Sequence, residues 1–322
     1  MSTVSTILTD EEVIKSFPCY EGPGVPGFYI NFLGIRTKTS YISELPQQGG
    51  VVEGYPLPAN HHATAIEWAG VLRAVLEGDT EVVAVELGAG WGPWLVTVAR
   101  AAQLKGIERV RLVGVEGFQE NYEYMVSHFI NNGLNPELYT LLHGVVGATD
   151  GVAEFPLQPG YGSRAIITNG ATSAHRPDFW RLPRRGYHAI RALGSLLNGS
   201  NGRQTNGSNH PATAQVKRYS LSTLLRPFTK VDLVHVDIQG DEYEVISSAR
   251  DVLKGKVKRL VIGTHSRTIE QSLLDELARQ SWVLESQEAC MFQQYGLRMI
   301  LIRDGCQVWR NPVFDSGAEV AR

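Results

Sequence analysis

The stretch Val82-Val-Ala-Val-Glu-Leu-Gly-Ala-Gly-Trp-Gly92 decides the fold. An apolar run carrying Glu86 passes into glycines at 88, 90 and 92, the pattern of a buried parallel strand that turns sharply into a helix. Pro93 suits a first helical turn, where its missing N–H costs nothing. Leu95, Val96, Val98, Ala99, Ala102 and Leu104 supply the inward face of that helix. The unit reads as strand, glycine-rich turn, helix. Positions without side chains let a ligand approach the backbone closely, and the amides at the helix start can receive an electron-rich group.

One strand later, Arg109–Val115 ends in Glu116, which sets a carboxylate at the carboxyl edge of the neighbouring strand. There it can accept hydrogen bonds from two ribose hydroxyls. Glu86 and Glu116 together disfavour a phosphate ligand, and a cationic, phosphate-free nucleoside fits better.

Working outward, the spacing predicts helices over about 62–77 and Glu120–Asn131, and strands at Leu138–His143 and Val152–Phe155. After an interruption the rhythm resumes. Ser220–Leu225, Asp241–Leu253 and Ile269–Ala278 read as helices, and Val231–Val236, Val257–Ile262 and Trp282–Glu285 as strands. Leu297–Arg303 and Cys306–Trp309 are expected to form a hairpin around Asp304-Gly305. Alternating strands and helices predict an α/β fold, a doubly wound, mostly parallel Rossmann-like sheet with an antiparallel C-terminal strand.

Residues 1–60 read as an N-terminal extension, with a short strand at Phe28–Leu33 and a possible role as pocket cover. Residues 61–322 read as the main domain. Within it, 156–215 is a lid-like insertion containing a short helix at His188–Leu197 and a polar, flexible run at Asn198–Asn209. Its aromatic and basic cluster, including His175, Trp180, Arg184 and Tyr187, reads either as a substrate lid or as a surface excursion anchored by Trp180.

Composition narrows the function classes. With 43% hydrophobic residues and a formal charge of -3, the chain of 322 residues can build a large core and shows no nucleic-acid footprint. No basic leader or long apolar segment suggests secretion or a membrane span. Cys19, Cys290 and Cys306 form neither a disulfide framework nor a Cys-x-x-Cys motif. An intracellular, cytoplasmic, reduced setting is the simplest expectation, so the sequons at Asn198 and Asn206 read as polar loops.

The second informative unit is Leu233-Val-His-Val-Asp-Ile-Gln-Gly-Asp-Glu242. Strand alternation sets His235 and Asp237 on one side and brings Asp237 to the carboxyl edge. Asp241 and Glu242 read as residues that complement the following helix start. Val261-Ile-Gly-Thr-His-Ser266 supplies a third strand end, where His265 is either a proton acceptor or a core histidine. Asp237 and His265 are two candidate ligands for a divalent ion together with a substrate oxygen, and two ligands do not specify a metal. His61 and His62, just before the first helix, read as exposed or capping residues or as part of a pocket edge.

Val-Glu-Leu-Gly-Ala-Gly-Trp-Gly, Val-Gly-Val-Glu-Gly-Phe and Val-His-Val-Asp-Ile-Gln-Gly-Asp-Glu follow one another in the order and spacing of a known family. Over roughly Glu81–Arg303 the chain resembles the FkbM-type branch of class I S-adenosylmethionine-dependent methyltransferases. The resemblance implies that the turn at Glu86, Gly88, Ala89, Gly90 and Trp91, with Glu116, binds the methionine and ribose portions of S-adenosylmethionine. It also implies that Trp91, Gly117, Phe118, Gly144 and Val145 border the adenine or sulfonium, and that Asp237, which matches the Asp before the family's usual Glu-Gly pair, takes part in cofactor binding. Gln239 stands where that Glu is usual, and Gly263-Thr264-His265 where an acidic residue is often found.

The resulting expectation is an O-methyltransferase acting on a hydroxyl of a small natural product or sugar-containing metabolite, with Asp237 and His265 aligning or deprotonating the acceptor. A nicotinamide-dependent oxidoreductase shares the glycine-rich turn but lacks the full G-x-G-x-x-G pattern here. A noncatalytic binding module that retains the fold is the other alternative.

Overall fold

The computed structural model describes residues 8–41, 49–156 and 213–315. Its centre is a seven-stranded sheet, whose strands we number in chain order. They are β1 Glu81–Leu87, β2 Arg109–Glu116, β3 Thr140–His143, β4 Val231–Val236, β5 Val257–Thr264, β6 Val283–Glu288 and β7 Gly305–Arg310. The spatial order is β6-β7-β5-β4-β1-β2-β3. β1 through β5 run parallel, whereas β7 enters antiparallel between β5 and β6. The doubly wound, mostly parallel sheet with an antiparallel C-terminal strand is therefore present.

The strands are apolar on both faces because helices cover both. Along β1, Val82 and Ala84 join one core, and Val83, Val85 and Leu87 join the other, as a side-chain period of two requires. The first core lies under α1 (Ala65–Leu76), α2 (Pro93–Leu104) and the N-terminal helix Asp10–Lys15, whose Val13 and Ile14 are fully buried. The second lies under the short helix Leu221–Leu225, α4 (Glu242–Ser248), α5 (Arg250–Lys256) and α6 (Arg267–Arg279). Between α2 and α4 in sequence, α3 (Gln119–Asn131) follows β2. Among the described residues no helix is long and apolar enough to cross a membrane.

Four expectations need correction. The strand at Phe28 is shorter than Phe28–Leu33, spanning Phe28–Ile30 and pairing antiparallel with Arg36–Lys38. The first helix begins at Ala65, because Asn60 folds the preceding residues into a turn by accepting from the amides of His62 and Ala63. The helix expected over Asp241–Leu253 is broken at Ala249 into α4 and α5. Arg298–Arg303 does not pair with β7; it pairs back onto Met291–Tyr295, forming an arm whose turn holds Gly296. Asp304-Gly305 is thus the passage from that arm into the sheet.

A separate three-stranded sheet joins Val145–Gly147, Thr213–Ser220 and Gly151–Pro156, with Thr213–Ser220 central. The expected lid, the helix at His188–Leu197, the run Asn198–Asn209 and the cluster around Trp180 lie outside the described residues, except the strand ends at 156 and 213–215.

Candidate active site

The carboxyl ends of β1, β2, β4 and β5 converge on one edge, where parallel α/β sheets collect ligands. Gly88 leaves β1 at φ 72, and a Cβ there would lie 2.0 Å from the Asp237 carbonyl oxygen. The Asp237 amide in turn donates to the Leu87 carbonyl at 2.9 Å. Those contacts knit the glycine turn to the residue after β4. Gly90 differs: its φ is 55, but a Cβ would meet nothing within 4 Å. Space beside the turn therefore opens at Gly90 and is closed at Gly88.

Glu116 is buried at the end of β2 and bridges this turn to its own. One carboxylate oxygen accepts from the Gly90 amide at 2.7 Å, the other from the Phe118 amide at 2.8 Å. Burial raises its pKa, and the Phe118 and Gly90 amides oppose the rise. Glu86 points toward the start of α2 and accepts from the Leu95 amide at 3.1 Å. Burial pushes its pKa well above the ordinary carboxyl value, against the pull of the Leu95 and Trp94 amides. Glu86 thus serves the helix start, and Glu116 holds the turn.

Other residues expected around the cofactor have packing partners. Gly117 lies against Phe155 and Val145, and Gly144 against the Lys217 carbonyl and the Tyr219 ring. Val145, Ala153, Phe155 and Val216 form a small core with Phe118 against it. Ala89 donates its amide to the Val115 carbonyl at 2.9 Å. Trp91 is buried, and its carbonyl meets His128 Nδ1 at 3.0 Å. Burial lowers the His128 pKa to about 4, the Trp91 carbonyl acting against that shift.

Across the edge, Gln239 takes the left-handed conformation at φ 62. Its side-chain amide donates to Asp237 Oδ1 at 2.9 Å. His265, at the end of β5, is 2% exposed and turns Nε2 toward Asp237 Oδ1 at 3.3 Å. Its Nδ1 meets Glu242 Oε1 at 2.7 Å, and Asp304 Oδ1 lies 3.7 Å from Nε2. Asp237 and His265 are brought together. His235, placed by strand alternation on the same side as Asp237, pairs with Glu67 at 2.9 Å and packs on the Trp94 ring. His62 also packs on Trp94, so it lies in the aromatic cluster at the α1–α2 junction.

Glu242 and Asp304 were not singled out as site residues from sequence. Glu242 also accepts from the amides of Gly240 at 2.9 Å and Ile238 at 3.3 Å, which precede the helix, so its reading as a helix-start residue captured neither these contacts nor the one to His265. A signal was available: Glu242, Val245, Ile246 and Ala249 follow an inward-facing helical spacing with a carboxylate in an apolar stripe. Asp304 gave no such signal, because it was assigned to a hairpin turn.

The residues present suit a cationic nucleoside. A buried carboxylate meets the glycine turn where a side chain is absent and space is open, while Asp237 and His265 face the same edge. One oxygen or nitrogen acceptor could be aligned between the two halves, since general bases need only hydrogen-bond reach or one water.

No protein-family model matches the chain. A protein of Jannaschia sp. (strain CCS1), provisionally named a methyltransferase, is 33% identical over 300 residues, covering 93% of this chain and 98% of its own. Solved structures with related outlines are far more distant. Methyltransferase FkbM from Methylobacillus flagellatus KT is 10% identical, with a TM-score of 0.41, over 76% of this chain and 54% of that one. Precorrin-6y C5,15-methyltransferase from Geobacter metallireducens GS-15 is 9% identical, with a TM-score of 0.37, over 77% and 88%. The Jannaschia protein therefore carries the assignment. The chain belongs to its methyltransferase family, and its fold is a doubly wound, mostly parallel Rossmann-like sheet.

Proposed function

We propose that the chain is an FkbM-type O-methyltransferase that uses S-adenosylmethionine and acts on a hydroxyl of a small natural product or sugar-containing metabolite. The observation that carries this reading is the pairing of two half-sites on one sheet edge. Gly90 and Glu116 are bonded to each other at the ends of β1 and β2, and Asp237 and His265 meet beyond β4 and β5.

In this reading Gly88, Ala89, Gly90 and Trp91 shape the cofactor cradle, and Glu116 accepts from the ribose hydroxyls. Gly117, Phe118, Gly144 and Val145 form the wall on the adenine side, and Glu86 holds the start of α2 beneath the cradle. S-adenosylmethionine supplies an activated methyl group on a sulfonium, so the chain's task is orientation and proton management. Asp237 and His265 would align the acceptor hydroxyl and take up its proton as the methyl group is transferred from the cofactor's sulfur to the acceptor oxygen. The carboxylates of Glu116 and Asp237 at this edge favour a sulfonium over the pyrophosphate of a nicotinamide cofactor.

Calorimetric titration of the full chain with S-adenosylmethionine and with NAD tests the cofactor. Saturable binding of the first alone is expected, and selective NAD binding overturns the proposal. Transfer of labelled methyl groups across a panel of hydroxyl acceptors tests the chemistry. Methylation confined to nitrogen or carbon overturns the choice of oxygen, and cofactor binding without turnover on any acceptor supports a binding module instead.

A further inference from the structure

A cleft lies where the N-terminal segment meets the starts of α1 and α2 and the second half of α3. Tyr29, His61, Trp68 and Trp91 give it aromatic walls, and Trp91 follows Gly90 in the glycine turn. It holds about 400 Å3 of unfilled space counted to its open mouth, and it is narrow, with about 30 Å3 wide enough to take the centre of a water molecule. No acid, lysine or arginine is among the described residues that line it. Glu53, which is not part of the lining, is held by Asn60 Nδ2 at 2.7 Å. His128 does line the cleft, and burial keeps its ring uncharged near neutral pH. The Trp91 carbonyl can only accept, so His128 Nδ1 carries the proton at 3.0 Å, and Nε2 accepts from the Thr37 hydroxyl at 3.3 Å.

Most polar groups of the lining are thus engaged. Asn60 Oδ1 accepts from the amides of His62 and Ala63 and from the Trp68 indole. Two groups stand apart. Asn31 is 8% exposed, and its Oδ1 accepts from the amides of Leu33 at 3.0 Å and Ile35 at 3.1 Å, but its Nδ2 donates to nothing among the described residues. Thr97 is 1% exposed, and its hydroxyl has no hydrogen-bond partner among the described residues. Buried polar groups are paired with protein, water or a ligand. Here two of them border the same uncharged cleft.

We propose that this cleft is a binding site for a small neutral ring bearing a hydroxyl or carbonyl oxygen, which lies among the aromatic walls and accepts from Asn31 Nδ2. Apolar walls with a few placed polar groups are the usual make-up of a small-molecule site. A charged ring would give up its hydration against walls that offer no counter-charge. Thr97 supplies a second partner to a hydroxyl, and the narrow space limits the ligand to one ring. That chemistry has two sources, the ring of a hydroxyl-bearing methyl acceptor or a separate neutral effector. The first source rests on the methyl-transfer reading, whereas binding in the cleft does not.

The test is NMR titration of the full chain with phenol, and with benzoate and benzylamine as charged rings of similar size, in the absence of cofactor. The Trp91 indole and His128 imidazole resonances, assigned through Trp91→Phe and His128→Gln, report on the cleft. Saturable phenol binding is expected, with both charged rings at least about tenfold weaker. Thr97→Val keeps the shape of the side chain and removes its hydroxyl, and is expected to weaken phenol about 2- to 10-fold. Asn31→Asp keeps Oδ1 for Leu33 and Ile35 while removing the donor, and is expected to weaken phenol at least about tenfold. Thr97→Val carries the comparison alone where Asn31→Asp does not fold. No saturable phenol binding, as for a cleft that holds ordered water only, overturns the proposal. Charged rings that bind as tightly as phenol overturn it too, as does phenol affinity unchanged in every folded variant. In a methyl-transfer assay, competition between phenol and the acceptor assigns the cleft to the acceptor, and an altered rate at saturating acceptor assigns it to an effector. Because the binding readout needs neither cofactor nor turnover, its failure leaves the methyl-transfer reading intact, and failure of methyl transfer leaves the cleft's ligand intact.

Discussion

The Gly90 amide donates to Glu116 Oε2 at 2.7 Å, so the residue that opens the turn after β1 is fastened by the carboxylate that ends β2. A ribose bound at this edge would use the same carboxylate. Glu116→Ala is expected to weaken S-adenosylmethionine affinity by about 10- to 100-fold, the loss of one or two hydrogen bonds to a charged acceptor. Glu116→Gln, which keeps one acceptor oxygen, is expected to lose less. Calorimetry of the two variants checks this, and equal affinity in both and the wild type would place the ribose elsewhere.

The glycines at 88 and 90 make a sharper pair. Both have positive φ, but only at Gly88 would a Cβ strike backbone, 2.0 Å from the Asp237 carbonyl oxygen. Gly88→Ala is therefore expected to destabilise the fold strongly, since β1 and β4 must move apart. Gly90→Ala carries chiefly the left-handed backbone cost of about 1–2 kcal/mol. Its melting temperature is expected to fall by a few degrees, while cofactor affinity drops at least about tenfold because the new methyl group fills the open cradle. Unchanged affinity in a folded Gly90→Ala chain would argue against cofactor contact at that position.

His128 gives the fold a pH dependence whose sign follows from its neutral role. Nδ1 meets the Trp91 carbonyl at 3.0 Å and Nε2 lies 3.3 Å from the Thr37 hydroxyl, so the uncharged ring is fully engaged. Burial depresses its pKa from 6.5 to about 4. The unfolded chain therefore binds the proton more readily, and stability falls as pH drops from about 6.5 toward 4. Linkage puts the loss at roughly 2 kcal/mol between pH 7 and 5. Urea denaturation at the two pH values is expected to show this in the wild type and to show that much less in His128→Gln. Identical pH dependence in both would assign the effect to other groups.

The core of the sheet and half of its edge were legible because the relevant signals are local. An apolar run into Gly88 announces β1 whatever surrounds it, and Glu116 and Asp237 stand at strand ends that periodicity alone locates. Asp304 was not legible, since Asp-Gly between two strand-length segments has the local character of a hairpin. What overrides it is nonlocal: Cys306, Val308 and Trp309 are buried, and Gly305–Arg310 pairs on both sides with β5 and β6. Pairing of that kind depends on segments brought together by folding, which no short window of sequence contains. Glu242 falls between the two cases: the spacing shows an inward carboxylate, but the histidine it serves comes from the next strand.

Gln239 replaces the Glu usual in the resembling family, and its geometry predicts what the exchange does. At φ 62 the side chain folds back, and Nε2 donates to Asp237 Oδ1 at 2.9 Å. A Glu in that place offers no donor, and it adds a like charge at about the same separation. Like charges at such distances favour protonation of one partner, so Gln239→Glu is expected to raise the Asp237 pKa. Gln239→Met, of similar size and without charge or donor, removes the hydrogen bond alone and is expected to raise it less. Carbon-13 NMR titration of the aspartate carboxyls, with Asp237 assigned through Asp237→Asn, reads both shifts. Equal shifts in the two variants would mean that only the lost donor matters. No shift in either would mean that Gln239 positions the turn after β4 without tuning the carboxylate.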